Sequence, residues 1–176
     1  QLNCLSIQIR LAEAQDLKDL VEVLTYSFHS DSTLVSWFYP LVKLGISEDI
    51  RTRLQSRNPH YRCFAASLTT THIIVGTVEI SVRHRLLLAE SMPYIANLAV
   101  SKEHRRQGIA RQLLAKCEQI AQEWGFKQLT LHVLEDNMAA QELYFSHGYR
   151  LDRVEHTLNS WLFNQPRQLF LKKQLC

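Results

Sequence analysis

The chain has 176 residues, of which 46% are hydrophobic and 21% are charged, and its formal net charge is +3. This balance is typical of a globular protein and excludes a disordered or fibrous chain. The net charge is too small to indicate nucleic-acid binding by itself. The sequence carries no repeat, low-complexity tract or Pro/Gly/Ser-rich linker, so we expect a single domain over 1–176.

The four cysteines lie far apart and form no CxxC pair: Cys4, Cys63, Cys117 and Cys176. Their spacing argues against a zinc site, and nothing resembles a secretory signal that would favour a disulfide framework. No apolar run approaches the ~18 residues of a membrane-spanning helix. We therefore expect free thiols, no metal, no membrane span and a cytoplasmic location.

The first third of the chain predicts a strand followed by two helices. Alternating apolar residues indicate a strand over 6–11. Asp16 is placed to cap a helix whose apolar residues follow the spacing of one buried stripe: Leu17, Leu20, Val21, Leu24 and Phe28. A less regular stretch over 29–59 contains an aromatic tract over 37–39, expected in the core or a lid. A second helix is predicted over 47–57.

The remainder of the chain alternates strands with helices. Strands are predicted over 61–68, 72–82, 93–100, 127–134, 149–158 and 167–173, and helices over 108–124 and 138–147. Gly125 and Gly148 stand where helix C-terminal glycines belong, and a turn is predicted at 164–166. This mixed order predicts an α/β or α+β fold with helices on both faces of the sheet.

The most informative segment is a strand over 94–100, followed by four residues and then by Arg105-Arg-Gln-Gly-Ile-Ala110. A glycine turn into a helix N-terminus aims successive N–H groups at one point, where the helix dipole adds about half a positive charge. Gly108 leaves room for a phosphate, and nearby arginines add positive charge. The segment predicts an anion site, with an ordinary strand-to-helix turn and solvated arginines as the structural alternative.

Two motifs in this region resemble the GNAT superfamily of acetyltransferases. Arg105-x-x-Gly108-x-Ala110 matches the family signature Q/R-x-x-G-x-G/A, and Asn137-x-x-Ala140-x-x-x-Tyr144-x-x-x-Gly148-Tyr149 resembles the second half of the pattern. The resemblance covers 73–149. It implies the GNAT fold, with a mixed, mostly antiparallel central sheet, and acetyl-CoA as co-substrate.

The resemblance also implies which residues bind acetyl-CoA. The backbone of Leu98, Ala99 and Val100 would pair with the pantetheine arm. Asn137 would contact the cofactor, and Tyr144 would lie near its thiol and act as a catalytic residue. The turn and first helical residues would cradle the pyrophosphate: Arg105, Arg106, Gln107, Gly108, Ile109, Ala110 and Arg111.

A closer resemblance concerns the residues that would act on the amine substrate. Tyr94-Ile-x-x-Leu98 on one strand and Leu131-His-Val133 on the next resemble the NatE and NatF types of protein N-terminal acetyltransferase. This implies that Tyr94 and His132 act on the incoming amine. The Phe-Pro pair of the NatE peptide pocket has its nearest counterpart far downstream, at Tyr39-Pro40, so that pocket is not carried over.

Each of these residues has a structural alternative. His132 fits a core histidine, Tyr94 a buried aromatic with its hydroxyl on the backbone, and Tyr144 simple packing. Glu79 is the alternative base, although most strand carboxylates are surface groups. Glu135 and Asp136 are expected to be loop charges or a cap for the helix that follows.

The chemistry favours an α-amine. An α-amine with a pKa of about 8 costs roughly 1.4 kcal/mol to deprotonate at pH 7, against about 4.6 kcal/mol for a lysine. We therefore expect acetyl transfer to a protein or peptide N-terminus or a lysine, by direct attack in a ternary complex. The alternatives are a small-molecule amine and a CoA-binding domain without turnover. A nucleic-acid module is disfavoured because aromatic residues do not interleave with the basic patch, which consists of Lys102, His104, Arg105, Arg106, Arg111 and Lys116. We expect a monomer or homodimer.

Overall fold

The structure, a computed structural model, describes residues 6–28, 39–56, 58–85, 90–155 and 166–175. Within these ranges the strands are β1 (Ile7–Leu11), β2 (Tyr61–Leu68), β3 (Ile74–Arg85), β4 (Glu90–Val100), β5 (Gln128–Leu134), β6 (Arg150–Glu155) and β7 (Gln168–Gln174). The helices are α1 (Leu17–Phe28), α2 (Tyr39–Gln55), α3 (Ile109–Glu123) and α4 (Met138–Ser146). None of them is long and apolar enough to cross a membrane.

The described strands form one sheet in the order β1-β2-β3-β4-β5-β7-β6. The β4–β5 pair is parallel, whereas β1–β2, β5–β7 and β6–β7 are antiparallel. The expected mixed, mostly antiparallel sheet with flanking helices is therefore confirmed. By its internal contacts the chain divides into two compact units, Gln1–Glu79 with Asn97–Leu114, and Ile80–Ala96 with Ala115–Cys176.

The core of the first unit confirms the apolar stripe predicted for α1. Leu20, Val21 and Leu24 are buried, whereas the Phe28 side chain lies outside the described residues. The stripe belongs to one buried cluster with residues from α2 and three strands: Ile50, Cys63, Ala65, Ile74 and Ala99. Full burial of a Val, Leu or Ile side chain contributes about 1.5–3 kcal/mol, so the larger members of this cluster stabilise the packing of α1 and α2 on the first strands.

The sequence predicted that the Asp16 side chain caps α1, but in the structure this carboxylate has other partners. A short 3₁₀ turn, Ala14–Asp16, precedes the helix, and this turn directs the carboxylate back towards β1. There Asp16 accepts hydrogen bonds from the backbone N–H of Glu13 at 2.8 Å and from the Arg10 guanidinium at 2.6 and 2.8 Å. The carboxylate thus ties the turn to the strand.

Helix α2 begins at Tyr39, eight residues before the predicted start at 47. Pro40 lies in its first turn, where a missing N–H has no helical acceptor to lose. The predicted start is wrong because Pro40 suits the first turn of a helix as well as the irregular stretch that the sequence predicts there. Of the aromatic tract over 37–39, residues 37 and 38 lie outside the described residues.

In the second unit, β5 pairs with β7 in the register Leu131↔Leu171 and His132↔Phe170. Gly125 and Gly148 end α3 and α4 as predicted, with φ angles of 83° and 92° that favour glycine. The strand predicted over 149–158 is β6, which is described from Arg150 to Glu155. Most of the turn predicted at 164–166 lies outside the described residues.

Candidate active site

The turn before α3 has the backbone shape of an anion site. After β4 the chain makes a 3₁₀ turn, Lys102–His104, and then takes left-handed φ angles at Arg106 (63°) and Gly108 (80°). The Gln112 N–H donates to the Gly108 carbonyl at 3.1 Å, so the N–H groups of Ile109 and Ala110 precede the helical hydrogen-bond ladder. A Cβ at Gly108 would meet nothing within 4 Å. Helix N–H groups that precede the hydrogen-bond ladder, next to a glycine with open space at its Cβ position, suit a phosphate.

Arg105, which belongs to the predicted motif, and Gly76, which the sequence analysis did not single out, both fix this turn. Arg105 Nε donates to the Val100 carbonyl at 3.1 Å, which ties the turn to the end of β4. Gly76 of β3 lies against both elements, because a Cβ there would be 3.2 Å from the Ala99 carbonyl oxygen and 3.2 Å from Ile109 Cγ2. The glycine therefore allows β3, β4 and α3 to approach closely.

The proposed pantetheine-binding segment, Leu98 to Val100, follows an irregularity in β4. Asn97 has a φ of 53°, in the left-handed region, and its side-chain amide donates to Glu79 Oε1 at 2.6 Å. Ala99 and Val100 are buried, and the Ser101 N–H donates to the Val75 carbonyl at 2.8 Å.

Glu79 is 2% exposed, so the expectation of a surface carboxylate is wrong. Besides Asn97, it accepts hydrogen bonds from Arg53 Nη1 at 2.9 Å and from the Tyr61 hydroxyl at 3.0 Å. Three donors offset the cost of burying the carboxylate. They make Glu79 a structural anchor for the irregular turn of β4.

In the second unit, Tyr94 and His132 are in direct contact. The β4–β5 register Tyr94↔Thr130 and Ile95↔Leu131 brings the two side chains onto neighbouring strands. The Tyr94 hydroxyl lies 2.9 Å from His132 Nδ1. The Arg83 guanidinium carbon lies 3.3 Å from the centre of the Tyr94 ring. Burial raises the pKa of Tyr94, and the nearby Arg83 charge offsets part of that rise.

Glu155 completes a chain of hydrogen bonds through His132. Its Oε2 lies 2.9 Å from His132 Nε2, and its Oε1 accepts from Arg153 Nε at 2.7 Å. Burial raises the pKa of Glu155, but the hydrogen bonds from His132 and Arg153 outweigh it and lower the pKa below its ordinary value. No local pattern predicts this contact, since Glu155 follows His132 by 23 residues and reaches it because β5 and β6 both pair with β7.

Tyr144 and Asn137 lie on α4. The Tyr144 residue is 8% exposed, its ring centre is 5.8 Å from that of Tyr149, and burial raises its pKa. Asn137 is the N-cap of α4 and accepts from the Ala140 N–H at 3.2 Å. Asn137 rather than Glu135 or Asp136 caps α4, so of the two alternatives for these acids the loop charge is the one that fits, and Glu135 accepts from Arg167 Nε at 2.8 Å.

The described cysteines, Cys63 and Cys117, are buried thiols that form no disulfide with each other. Burial raises the pKa of Cys63 to about 12, so its thiol is a poor nucleophile at neutral pH. Across the described ranges, no group of three or more His, Cys, Asp or Glu side chains is arranged to hold a metal ion.

Comparison with known proteins identifies the family. A model of the acetyltransferase (GNAT) family matches residues 26–149. GCN5-related N-acetyltransferase 10, chloroplastic, of Arabidopsis thaliana is 26% identical over 162 residues, which cover 84% of this chain and 63% of that protein. GCN5-related N-acetyltransferase 7, chloroplastic, of the same plant is 35% identical over 78 residues, 44% of this chain and 28% of that protein. The chain thus spans less than two thirds of the length of these relatives.

A solved structure shows the same fold. PaiA N-acetyltransferase from Thermoplasma acidophilum, crystallised in complex with coenzyme A, superposes with a TM-score of 0.73 at 18% identity, over 96% of this chain and 99% of that one. The fold implied by the sequence motifs is therefore confirmed. The chain belongs to the GNAT family of acetyltransferases.

Proposed function

We propose that this chain transfers an acetyl group from acetyl-CoA to a primary amine, by direct attack of the amine in a ternary complex. The observation that carries the proposal is the turn before α3, where left-handed residues and open space over Gly108 precede a helix N-terminus. Such a turn suits the pyrophosphate of a CoA thioester. Membership of the GNAT family supports the same assignment.

Acetyl-CoA would be held by several parts of the chain. The backbone of Leu98, Ala99 and Val100 would pair with the pantetheine arm, and Asn137 would contact the cofactor. The pyrophosphate would lie over the turn, with Arg105, Arg106, Gln107, Gly108, Ile109, Ala110 and Arg111 around it. When bound, acetyl-CoA supplies an acetyl carbonyl activated by its thioester bond.

Tyr94, His132 and Tyr144 are the proposed catalytic residues. The amine must lose a proton, and Tyr94 and His132 form a hydrogen-bonded pair that can take it. The departing thiolate must gain a proton. Burial raises the pKa of Tyr144, so its hydroxyl keeps a proton to donate at neutral pH.

For the acceptor, we propose a protein or peptide α-amine, with lysine second. The resemblance of Tyr94 and His132 to the NatE and NatF pattern supports this choice, as does the lower cost of deprotonating an α-amine. A small-molecule amine such as a polyamine or aminoglycoside is the competing acceptor, and CoA binding without turnover is the competing function.

An acetyl-transfer screen tests the proposal. Free CoA thiol would be measured with acetyl-CoA and four classes of acceptor: peptides with a free N-terminus, N-blocked lysine peptides, polyamines and aminoglycosides. We expect the free N-terminus to react at least about tenfold faster than the blocked lysine peptide, given their difference in deprotonation cost. Turnover confined to small amines would reassign the acceptor, and CoA binding without any turnover would contradict the enzyme assignment.

The cytoplasmic location and the oligomeric state stay predictions. The relatives from Arabidopsis are named chloroplastic, which makes a plastid the competing location for this chain. Fractionation with an antibody against the chain, and light scattering on the purified protein, would test the two predictions.

A further inference from the structure

His132 uses both of its ring nitrogens on neighbouring side chains. Nδ1 lies 2.9 Å from the Tyr94 hydroxyl, and Nε2 lies 2.9 Å from Glu155 Oε2. An imidazole has no other polar atom. A substrate amine therefore cannot hydrogen-bond to His132 unless one of these partners leaves, which conflicts with His132 as the direct base.

Glu155 selects which ring nitrogen carries the proton. An ionised carboxylate only accepts hydrogen bonds, so the facing Nε2 must donate. In the neutral ring Nδ1 is then the acceptor, and the Tyr94 hydroxyl donates to it. The lowered pKa of Glu155, described above, is consistent with an ionised carboxylate in this position.

The carboxylate is held in place by its own neighbours. Arg153 donates to Glu155 Oε1 through Nε at 2.7 Å and to Asp152 Oδ2 through Nη1 at 3.0 Å. The Arg153 guanidinium carbon also lies 3.8 Å from the centre of the Phe170 ring, which in turn lies 4.8 Å from the His132 ring centre. The same residues thus fix both the carboxylate and the imidazole.

We propose that Tyr94 is the residue that meets the substrate amine, and that Glu155 is a positioning residue that aims His132 Nδ1 at the Tyr94 hydroxyl. This inference rests on the proposed acetyl transfer and specifies which side chain receives the proton. A phenol oxygen that donates its proton to Nδ1 keeps lone pairs that can accept an amine N–H.

Protons and electrons balance in the acetyl transfer written this way. The amine lone pair forms the C–N bond to the acetyl carbon, while the C–S bond breaks and its electron pair leaves with sulfur. Tyr94 takes the amine proton as its own hydroxyl proton moves to His132 Nδ1, and Glu155 stabilises the resulting ring cation through Nε2–H. Tyr144 gives one proton to the thiolate. His132 then releases one proton to solvent, and Tyr144 recovers one. The side chains of His132 and Glu155 are 20% and 34% exposed, so the His132 proton can reach solvent.

The first test reads the position of the proton without any turnover. In ¹⁵N-histidine-labelled protein, free of acetyl-CoA and amine, the ring nitrogens of His132 would be assigned among the eight histidines by their loss in His132→Asn. At a pH where the ring is neutral, we expect the proton on Nε2. Glu155→Leu, which removes the acceptor, should shift the proton towards Nδ1. A wild-type ring that carries its proton on Nδ1 would overturn the proposal.

Asp152→Asn is the matched control. Asp152 is a carboxylate on the same strand with nearly the same side-chain exposure, 33% against 34%, and it bonds Arg153 and Lys172 rather than His132. Because Arg153 still bonds Glu155 directly in this variant, we expect it to change the His132 signals and the rate far less than Glu155→Leu does. An equal response to both variants would mean that any lost charge on β6 disturbs the ring, which contradicts a specific role of Glu155.

The second test compares turnover. Glu155→Leu should lower kcat by about 10- to 100-fold, the range for a residue that orients a catalytic group. The KM for acetyl-CoA should change by less than about twofold if the effect is confined to the amine side. Glu155→Gln keeps an acceptor oxygen and should retain more activity. If Glu155→Leu does not fold, the wild-type ring decides the question, because a neutral ring with its proton on Nδ1 overturns the proposal.

Tyr94→Phe and His132→Ala test which of the two side chains contacts the amine. If Tyr94 meets the amine, Tyr94→Phe should cost at least as much turnover as His132→Ala, and the double variant should cost little more than either. Retention of most activity in Tyr94→Phe would make His132 the direct base and overturn the inference. A wild-type protein that acetylates no amine would contradict the proposed function alone, because the ring-proton assignment needs no turnover.

Discussion

Gly108 and Gly125 offer a controlled test of the pyrophosphate site at the two ends of α3. Both glycines have left-handed φ angles, 80° and 83°, and both have open space where a Cβ would lie. A glutamate at either position therefore meets the same backbone strain. Only at Gly108 does its charge lie over the helix N-terminus, where phosphates are proposed to bind.

We expect Gly108→Glu to weaken acetyl-CoA binding by at least about tenfold, because a carboxylate would compete with phosphate for the same N–H groups. Gly125→Glu should bind as the wild type does. Titration calorimetry measures both, and circular dichroism checks that both fold. Equal affinity for acetyl-CoA in the two variants would contradict pyrophosphate binding at this turn. Gly108→Ala, which adds strain without charge, separates the two contributions.

Tyr144 and Tyr149 form a second matched pair. Their rings are in edge contact, and both are buried. We expect Tyr144→Phe to lower turnover by about 10- to 1,000-fold, the range for losing one acid or one hydrogen-bond donor, with little change in acetyl-CoA affinity. Steady-state kinetics with saturating acetyl-CoA measures the loss. Full activity in Tyr144→Phe would leave the residue as packing.

Tyr149→Phe, in contrast, should leave turnover unchanged. Its hydroxyl is fully buried and has no hydrogen-bond partner among the described residues. Because an unsatisfied buried hydroxyl costs about 1–3 kcal/mol, its removal should leave turnover intact and leave the free energy of unfolding equal or higher. Denaturant unfolding measures this. A loss of stability would indicate that an ordered water bonds the hydroxyl.

At the scale of elements, the Arg10–Asp16 pair links β1 to the turn before α1. The hydrogen bonds from Arg10 are the main reason that the pKa of Asp16 lies below its ordinary value of 3.8. A carboxyl with a lowered folded-state pKa stabilises the fold above its unfolded pKa, and this stabilisation disappears as the pH falls through the folded value.

We therefore expect Asp16→Asn to reduce the free energy of unfolding at pH 7 by about 1.5–3 kcal/mol, the range for hydrogen bonds to a charged group. The difference from wild type should narrow as the pH falls below about 4. Glu22→Gln, at an exposed position on α1, is the control for a lost charge. A difference that stays constant from pH 7 to pH 3 would contradict the linkage. Urea unfolding at several pH values measures it.

Local signals in the sequence were enough to predict most elements and the turn before α3. Gly108, Gly125 and Gly148 could be placed because each left-handed position follows from glycine chemistry at the neighbouring helix end. The start of α2 could not, since Pro40 is compatible with both a loop and a first helical turn. Asp16 likewise could serve a cap or a tertiary ion pair, and only the position of Arg10 decides between them.

The candidate site shows the same division. Tyr94 and His132 were predicted to meet because they lie on strands that the family resemblance places side by side. Glu155 was missed because its contact with His132 depends on the register of β6 on β7, which no local pattern encodes. The surface alternative for Glu79 was wrong, because the burial of this carboxylate depends on three donors from distant parts of the sequence.

At the scale of the whole molecule, binding of acetyl-CoA should raise the melting temperature. A ligand that binds only the folded state at 100 times its Kd adds about 2.7 kcal/mol, which corresponds to roughly 5–10 °C for a chain of this size. Differential scanning fluorimetry at rising acetyl-CoA concentrations measures the shift. Gly125→Glu should show the full shift and Gly108→Glu a much smaller one. An equal shift in both variants would contradict binding at the turn.

The close approach of β3, β4 and α3 at Gly76 limits which amino acids this position can accept. Any side chain there would press within 3.2 Å of the Ala99 carbonyl oxygen and 3.3 Å of Leu113 Cδ1, whereas a Cβ at Gly45 would meet nothing within 4 Å. In a library of random variants selected for folded, CoA-binding protein, position 45 should therefore accept many amino acids. Position 76 should keep glycine, because even one added methyl group pushes the strands and helix that shape the cofactor turn apart.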